Sequence, residues 1–196
     1  MPLRRVVRFD KMVDRFDEKV DMAFDRLRGH RPIDRMFYGA SAVGDHGMLW
    51  VMLGAVRGLR GDHHWRAAVR VGLGVGIESV VVNVGVKSLF RRSRPVILAP
   101  RPFPLRIPLT SSFPSGHATS AFCAATLLSD GDPHLAPLYF GAATLVALSR
   151  IHVKIHHASD VVGGMAFGLV LGQVGKRLAP LAPAPVRSVA TTECRH

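Results

Sequence analysis

Two long apolar runs of this chain are separated by twelve residues, Ser149-Arg150-Ile151-His152-Val153-Lys154-Ile155-His156-His157-Ala158-Ser159-Asp160. The stretch carries an Arg, a Lys, three His and an Asp, whereas the runs on either side of it are nearly free of charged residues. Ionisable groups are costly beside apolar helices, so at this density they indicate a function. The stretch therefore predicts a polar, functional junction between two apolar helices of an all-α protein.

The composition favours a membrane protein. Of the 196 residues, 48% are apolar and 20% are charged, and the length leaves room for one domain. The formal net charge of +12 fits nucleic acid, an anionic membrane surface or a phosphate-like substrate as partner. Because the apolar residues are gathered into blocks between basic loops, we expect membrane lipids and no nucleic acid. Cys123 and Cys194 show neither a disulfide framework nor the spacing of zinc ligands.

Residues 1–35 carry the pattern of an amphipathic helix. Apolar residues recur at helical spacing from Phe9 to Leu27, and charged residues fill the positions between them. Because the segment is basic and rich in phenylalanine, we expect it to lie on the membrane interface or against a partner helix. A soluble helix packed on its own domain is the alternative. The segment lacks the apolar core of a signal peptide, so insertion would use internal segments.

Residues 36–180 are predicted to form a multi-pass transmembrane helical bundle. A crossing takes roughly 20 apolar residues, and five segments are candidate spans: 47–59, 67–86, 115–128, 134–149 and 161–178. The first of these is short and would cross only if tilted. Residues 181–196 are predicted to be a flexible tail. Gly164, Gly168 and Gly172 repeat every four residues, which allows close packing within the bundle or a homo-oligomer through that face.

The first polar constellation is Lys87, followed after six residues by Arg94-Pro95. A Lys and an Arg brought together offer fixed positive charge and several donors for phosphate oxygens. Taken singly, such residues at a helix end are more often anchors at the membrane interface.

The second constellation is Phe113-Pro114-Ser115-Gly116-His117, in which a proline precedes a helix and small residues fill its first turn. Free backbone N–H groups at a helix N-terminus bind anions, and glycine lets an oxyanion approach closely. His117 would then lie beside the anion, where it could donate a proton. An ordinary Ser cap with an incidental His is the alternative.

The third constellation is the opening stretch. Arg150 could hold another oxyanion, and His156 and Asp160 are four residues apart, so on a helix the carboxylate could orient the imidazole. The spacing alone leaves open whether His152, His156 or His157 is the reactive residue, because a helical His and Asp pair is usually a structural hydrogen bond.

Together these motifs, Lys87-x6-Arg94-Pro95, Pro114-Ser115-Gly116-His117 and Ser149-Arg150-x5-His156-x3-Asp160, resemble the full signature of the type 2 phosphatidic acid phosphatase (PAP2) superfamily, which includes vanadium-dependent haloperoxidases. All three parts are present, in order and without substitution. The match covers residues 87–160, and the surrounding helices extend it to most of the chain after residue 36.

The resemblance implies an enzyme: a metal-independent hydrolase of a lipid phosphate or diphosphate that needs no cofactor. The catalytic residues would be His156 as nucleophile forming a phosphohistidine, Asp160 orienting it, and His117 as general acid and then base. The groups that bind the substrate phosphate would be Lys87, Arg94, Arg150, Ser115 and the Gly116 amide. Polyprenyl phosphates and phosphoribosyl polyprenyl phosphates of a bacterial envelope, phosphatidic acid and phosphatidylglycerol phosphate are the candidate lipids.

Two other functions fit part of the sequence. A haloperoxidase would hold vanadate with the same residues, but the apolar runs argue against a soluble enzyme. A non-catalytic lipid-binding protein would leave the histidines and Asp160 unexplained. For localisation we expect a multi-pass cell-membrane protein. With five spans, residues 1–35 and the site lie on one side together with most of the 26 Lys and Arg, so the positive-inside rule favours a cytoplasmic site.

Overall fold

The computed structural model describes residues 11–96, 100–105, 107–108 and 110–181, and within these ranges the regular structure is helical. The helices are α1 (Lys11–Asp25), α2 (Arg31–Val43), α3 (Met48–Gly58), α4 (Asp62–Val80), α5 (Lys87–Leu89), α6 (Gly116–Gly131), α7 (Ala136–His152) and α8 (Ala158–Leu178). Short 3-10 turns at Asp45–Gly47 and Pro133–Leu135 precede α3 and α7. The all-α prediction is confirmed.

Helix α6 is the centre of the bundle. It packs most extensively on α8, and it also contacts α7 and α4. Nearly every residue from Ala118 to Leu128 is buried. The segment is rich in alanine, and small side chains let neighbouring helices approach on all sides. The N-terminus of α6, which carries the second motif, is thereby fixed against the start of α8.

Glycines make the α6–α8 contact possible. A Cβ atom at Gly164 would lie 2.6 Å from the Ser115 carbonyl oxygen, and one at Gly168 would lie 2.4 Å from that of Thr119. Gly172 faces Thr126 in the same way. This face is therefore occupied by α6 of the same chain. A homo-oligomer, which stays a prediction, would need a different surface.

The end of α4 brings the first motif to the site. Helix α4 runs through a π-helical turn, Val81–Val86, directly into α5, so the chain is helical as far as Leu89. A π-turn inserts a residue into the helical ladder and is frequent at functional sites. Here it contains Asn83, whose side chain accepts a hydrogen bond from Lys87 Nζ at 2.9 Å.

The N-terminal helix buries a different face from the one that its sequence pattern predicts. Val20 and Phe24 pack against the core, but Met12 and Phe16 of the predicted apolar face are exposed, and the charged residue Asp17 is buried. Helix α1 contacts α7 and α8, at the end of the bundle where His156 lies. The predicted division at residue 35 stays a prediction. Phe9 and the predicted tail after residue 181 lie outside the described residues.

A further helix was missed by the sequence pattern. Residues 36–59 read as one apolar segment interrupted by Asp45 and His46, but the chain forms α2, a short turn and α3. Gly47 adopts a positive φ of 68°, which makes the sharp turn between them. Helix α2 packs against α7.

Among the described residues, two helices are long and apolar enough to cross a bilayer, His64–Leu89 and Ala158–Leu178. Their exposed residues include large aliphatic side chains such as Leu73, Ile77 and Val170, as expected for surfaces that face lipid. Helices α6 and α7, with 16 and 17 residues, and the shorter α3 fall below the roughly 20 residues of a straight crossing. The count of five spans stays a prediction.

Candidate active site

The three motifs meet at one end of the bundle. Lys87 lies where the α4–α5 helix ends, Gly116 and His117 lie where α6 begins, and His156 lies between α7 and α8. These four residues line one cavity of about 250 Å³. The same cavity is lined by Gly44, Asp45, Gly47, Ser79, Asn83, Pro108, Thr110 and Ser120. Residues that are 69 positions apart in the sequence thus face a common space.

His156 has the properties of a nucleophile. It is 3% exposed, and its burial lowers the pKa of the imidazole to about 3, with the nearby Arg150 and Arg94 acting in the same direction. The ring is therefore neutral near pH 7. Its Nε2 atom lies 3.2 Å from Arg94 Nη1, which donates to it. The nitrogen lone pair thus points at the group expected to bind phosphate.

Arg94 is held in place by backbone oxygens. Its Nη1 donates to the Ile155 carbonyl at 3.0 Å, and its Nη2 donates to that of Thr110 at 3.1 Å. The guanidinium therefore joins the motif of residues 87–95 to the loop before α8.

Asp160 is completely buried and its carboxylate receives several donors. The Ser112 hydroxyl donates to Oδ2 at 2.6 Å, and the backbone N–H of His157 donates to the same oxygen at 2.9 Å. His156 Nδ1 lies 3.7 Å from that oxygen, which is too long for a hydrogen bond. Ser112 Oγ lies 3.4 Å from His156 Nδ1, so the hydroxyl stands between the imidazole and the carboxylate.

His117 is paired with a carboxylate that the motifs do not contain. Its Nε2 donates to Asp45 Oδ1 at 2.8 Å, in the turn that precedes α3. Gly44 is close by, and a Cβ atom there would lie 3.3 Å from the His117 ring. This geometry fixes the orientation of the ring beside the cavity.

Several buried donors around the cavity have no partner within the described chain. Arg150 donates from Nη1 to Ser41 Oγ, whereas its Nε and Nη2 atoms are unpaired, as are Arg94 Nε and Ser115 Oγ. Unpaired buried donors cost free energy, and an anion that accepts from several of them removes that cost. Lys87 Nζ adds positive charge, 3.5 Å from where a Cβ at Gly116 would be. The arrangement fits a phosphate group.

All eight predicted site residues are thus brought to one end of the bundle. Of the three histidines that the spacing left open, His152 donates to Asp34 at 2.8 Å and stacks on Phe37, and His157 lies 3.2 Å from Asp160. His156 alone of these three lines the 250 Å³ cavity.

Sequence reasoning missed four side chains that contact the predicted ones, namely Ser41, Asp45, Arg92 and Ser112, and it also missed Asp17, which contacts Arg92. The interruption of an apolar segment by Asp45 was a usable signal. Arg92 and Ser112 lie next to motif residues, but nothing in their spacing separates them from other loop residues. Asp17 looks like an ordinary surface residue of an amphipathic helix.

Within the described residues, no group of three or more His, Cys, Asp or Glu side chains is placed to hold a metal ion. The expectation of metal-independent chemistry stays a prediction.

Comparisons with known proteins identify the family of the chain. A family model described as the PAP2 superfamily matches residues 67–182. Decaprenylphosphoryl-5-phosphoribose phosphatase of Mycobacterium tuberculosis is 35% identical over 139 residues, which cover 69% of this chain and 75% of that protein.

Two solved structures share the fold. A transmembrane PAP2-type phosphatidylglycerolphosphate phosphatase from Bacillus subtilis superposes with a TM-score of 0.68 and 25% identity, over 86% of this chain and 87% of that one. LpxE of Aquifex aeolicus gives a TM-score of 0.67 and 25% identity, over 88% of this chain and 99% of that one.

Proposed function

The chain belongs to the PAP2 superfamily, and from this premise we propose that it removes phosphate from a lipid phosphate through a phosphohistidine formed on His156. The family makes the chain a membrane phosphatase of the PAP2 type. The observation that supports the proposed role of His156 is its neutral, buried imidazole beside unpaired cationic donors, with Nε2 aimed at Arg94.

The first half of the reaction transfers the phosphoryl group to the enzyme. His156 Nε2 attacks phosphorus, a P–N bond forms, and the bond from phosphorus to the leaving oxygen breaks. His117 gives its proton to that oxygen. Lys87, Arg94, Arg150, Ser115 and the Gly116 amide hold the other phosphate oxygens as their charge redistributes.

The second half releases phosphate. His117, now neutral, takes a proton from water, and the resulting hydroxide attacks phosphorus and breaks the P–N bond. Inorganic phosphate leaves and His156 returns to its neutral form. Asp160, through Ser112, keeps the Nδ1 proton in place during both steps.

We propose a hydroxyl-bearing leaving group as the substrate class, with a phosphorylated sugar on a polyprenyl phosphate as the first candidate. The cavity next to His117 is lined by Asp45, Ser79, Asn83 and Ser120, whose polar groups suit hydroxyls better than an acyl chain. The Mycobacterium tuberculosis relative, by its name, acts on decaprenylphosphoryl-5-phosphoribose. Phosphatidylglycerol phosphate is the second candidate, from the Bacillus subtilis relative.

A phosphate-release screen tests both proposals. The panel contains decaprenylphosphoryl-5-phosphoribose, phosphatidylglycerol phosphate and phosphatidic acid, each with the detergent-purified protein in the presence of EDTA. We expect release from the first lipid to be fastest and to be lost in His156→Ala and in His117→Ala. Acid-labile label trapped on the wild type, and absent from His156→Ala, would identify the phosphohistidine. Turnover that persists in His156→Ala would refute the assignment.

We also propose a multi-pass arrangement whose catalytic end faces the cytoplasm. Support comes from α1, because it lies at that end, and its exposed residues include Arg15 and Lys19 next to Phe16 and Met22, as suits an anionic membrane surface.

A further inference from the structure

A buried carboxylate on α1 reaches the catalytic end of the bundle. Asp17 is 6% exposed although α1 is otherwise mostly solvent-facing. Its Oδ1 accepts from the Ser159 backbone N–H at 2.7 Å, and its Oδ2 accepts from the Ser159 hydroxyl at 2.8 Å. These contacts join residues 142 positions apart, at the first turn of α8.

Arg92 lies between Asp17 and Asp160. Its Nη2 donates to Asp17 Oδ2 at 2.5 Å, and its Nη1 donates to Asp160 Oδ1 at 2.6 Å. Nη1 also contacts the Ser159 hydroxyl at 2.6 Å. One buried guanidinium thus holds two buried carboxylates, each through a separate nitrogen, which restricts its rotation about the side chain.

The contact of Arg92 with Asp160 affects the orientation of His156. Oδ1 of Asp160 is held by Arg92, so its Oδ2 is turned toward Ser112 and the imidazole. Without Asp17, Nη2 of Arg92 loses its carboxylate, so the guanidinium holds Oδ1 of Asp160 less firmly in its position. Partners of this kind, one step removed from the reacting groups, typically change activity by about 10–100-fold when removed.

We propose that Asp17 of the N-terminal helix is a positioning residue for phosphoryl transfer, which acts through Arg92 to fix the Asp160 carboxylate behind His156. The inference rests on the proposed function. The inference gives α1 a residue that positions the catalytic groups, although the family match begins only at residue 67.

The competing explanation is that Asp17 only docks α1 onto α8 through Ser159. The two explanations differ in which variants slow the reaction. Docking predicts that the loss of activity in Asp17→Asn follows a loss of stability and does not depend on Arg92. Positioning predicts that Arg92→Gln slows the reaction as Asp17→Asn does, and that both variants lower kcat rather than raise KM.

The experiment uses the full-length protein in detergent, with the panel lipid that the wild type hydrolyses fastest. We expect Asp17→Asn to lower kcat by about 10–100-fold while KM changes by less than about twofold, because phosphate binding is untouched. Asp14→Asn removes the same charge from an exposed position on the same helix and is the matched control. It should behave as wild type.

A double-mutant cycle with Arg92→Gln shows whether Asp17 acts through Arg92. We expect the Asp17→Asn, Arg92→Gln protein to be no slower than the slower single variant. Losses that multiply would overturn the inference, as would wild-type kcat in Asp17→Asn. Asparagine is isosteric and can still accept from Ser159. If that variant nevertheless does not fold, Arg92→Gln carries the test alone, and wild-type kcat there would overturn the inference.

The experiments distinguish a failure of the positioning role of Asp17 from a failure of the proposed function. An active wild type with an unchanged Asp17→Asn variant contradicts only the positioning role. A wild type that releases phosphate from no lipid of the panel contradicts the proposed function, and the positioning role with it.

Discussion

The neutral state of His156 has a consequence for stability that can be measured. Burial lowers the pKa of its imidazole from 6.5 to about 3, so the folded protein disfavours the protonated ring. Its contribution to stability is therefore fully present above pH 6.5 and is lost as the pH falls from there toward 3, because only the unfolded chain binds the proton.

We predict that His156→Gln weakens the pH dependence of the unfolding temperature between pH 6.5 and pH 4. Glutamine has similar size and does not titrate. Thermal unfolding of both proteins in detergent, followed by tryptophan fluorescence, gives the two slopes. Equal slopes would show that His156 is not held neutral. His134→Gln, at an exposed position at the opposite end of the bundle, serves as the control.

Ser112 is expected to transmit the orientation of Asp160 to the imidazole. Its hydroxyl donates to Asp160 and lies within 3.4 Å of His156 Nδ1. Ser112→Ala should therefore lower kcat by about tenfold and leave KM nearly unchanged. The control is Ser88→Ala, whose exposed hydroxyl donates only to the Gly85 carbonyl. A wild-type kcat in Ser112→Ala would mean that Asp160 orients His156 without the serine.

Asp45 is expected to matter chiefly through His117. Because Asp45 holds the ring of His117, Asp45→Asn should lower kcat by about 10–100-fold. In a protein that already carries His117→Ala, the same change should lower the residual rate much less than it lowers the rate of the wild type. An equal loss in that background would show that Asp45 acts independently of His117.

At the scale of the helices, the contact between α6 and α8 sets the width of the site. The backbone N–H of Ser115 donates to the Asp160 carbonyl at 3.0 Å, so the two helix N-termini are tied at this level. The glycine face of α8 keeps the helices close below it. A wider spacing would separate Ser115 and Gly116 from His156.

We predict that Gly168→Ala destabilises the fold by about 1–3 kcal/mol, because the new methyl group would lie 2.4 Å from the Thr119 carbonyl oxygen and the backbone must shift. Gly76→Ala on α4 is the matched control, since no atom lies within 4 Å of its Cβ position. That change should stabilise by up to about 1 kcal/mol. Thermal unfolding in detergent measures both, and equal effects would contradict the packing role.

For the whole molecule, the orientation in the membrane can be tested at the two ends of α6. Pro100 belongs to the loop at the catalytic end, whereas Asp132 follows α6 at the other end. If the catalytic end is cytoplasmic, a reporter active only in the cytoplasm should be active when fused after Pro100 and inactive after Asp132. The reverse pattern would place the site on the outer face. Equal activity at both positions would contradict a crossing by α6.

The helical class, the three motifs and the chemistry they imply could be predicted from the sequence. Periodicity and apolar length are local properties, and each motif lies at a helix end where its side chains are spaced by the helix itself. The same reasoning could not separate α2 from α3, because apolar content does not reveal a turn made by Gly47. It also assigned Asp17 to the solvent, since a charged residue on an amphipathic helix is usually exposed.

The sequence by itself therefore determined which groups we propose for the reaction, namely two histidines, an aspartate and the cations around them. Only the tertiary structure decided which residues hold those groups in place. Asp17, Ser41 and Asp45 contact Arg92, Arg150 and His117 across 72 to 109 positions of the chain. Such pairings depend on how helices pack, and no local spacing encodes them. For this physical reason, the contacts of the N-terminal helix at the catalytic end could be recognised only in the folded protein.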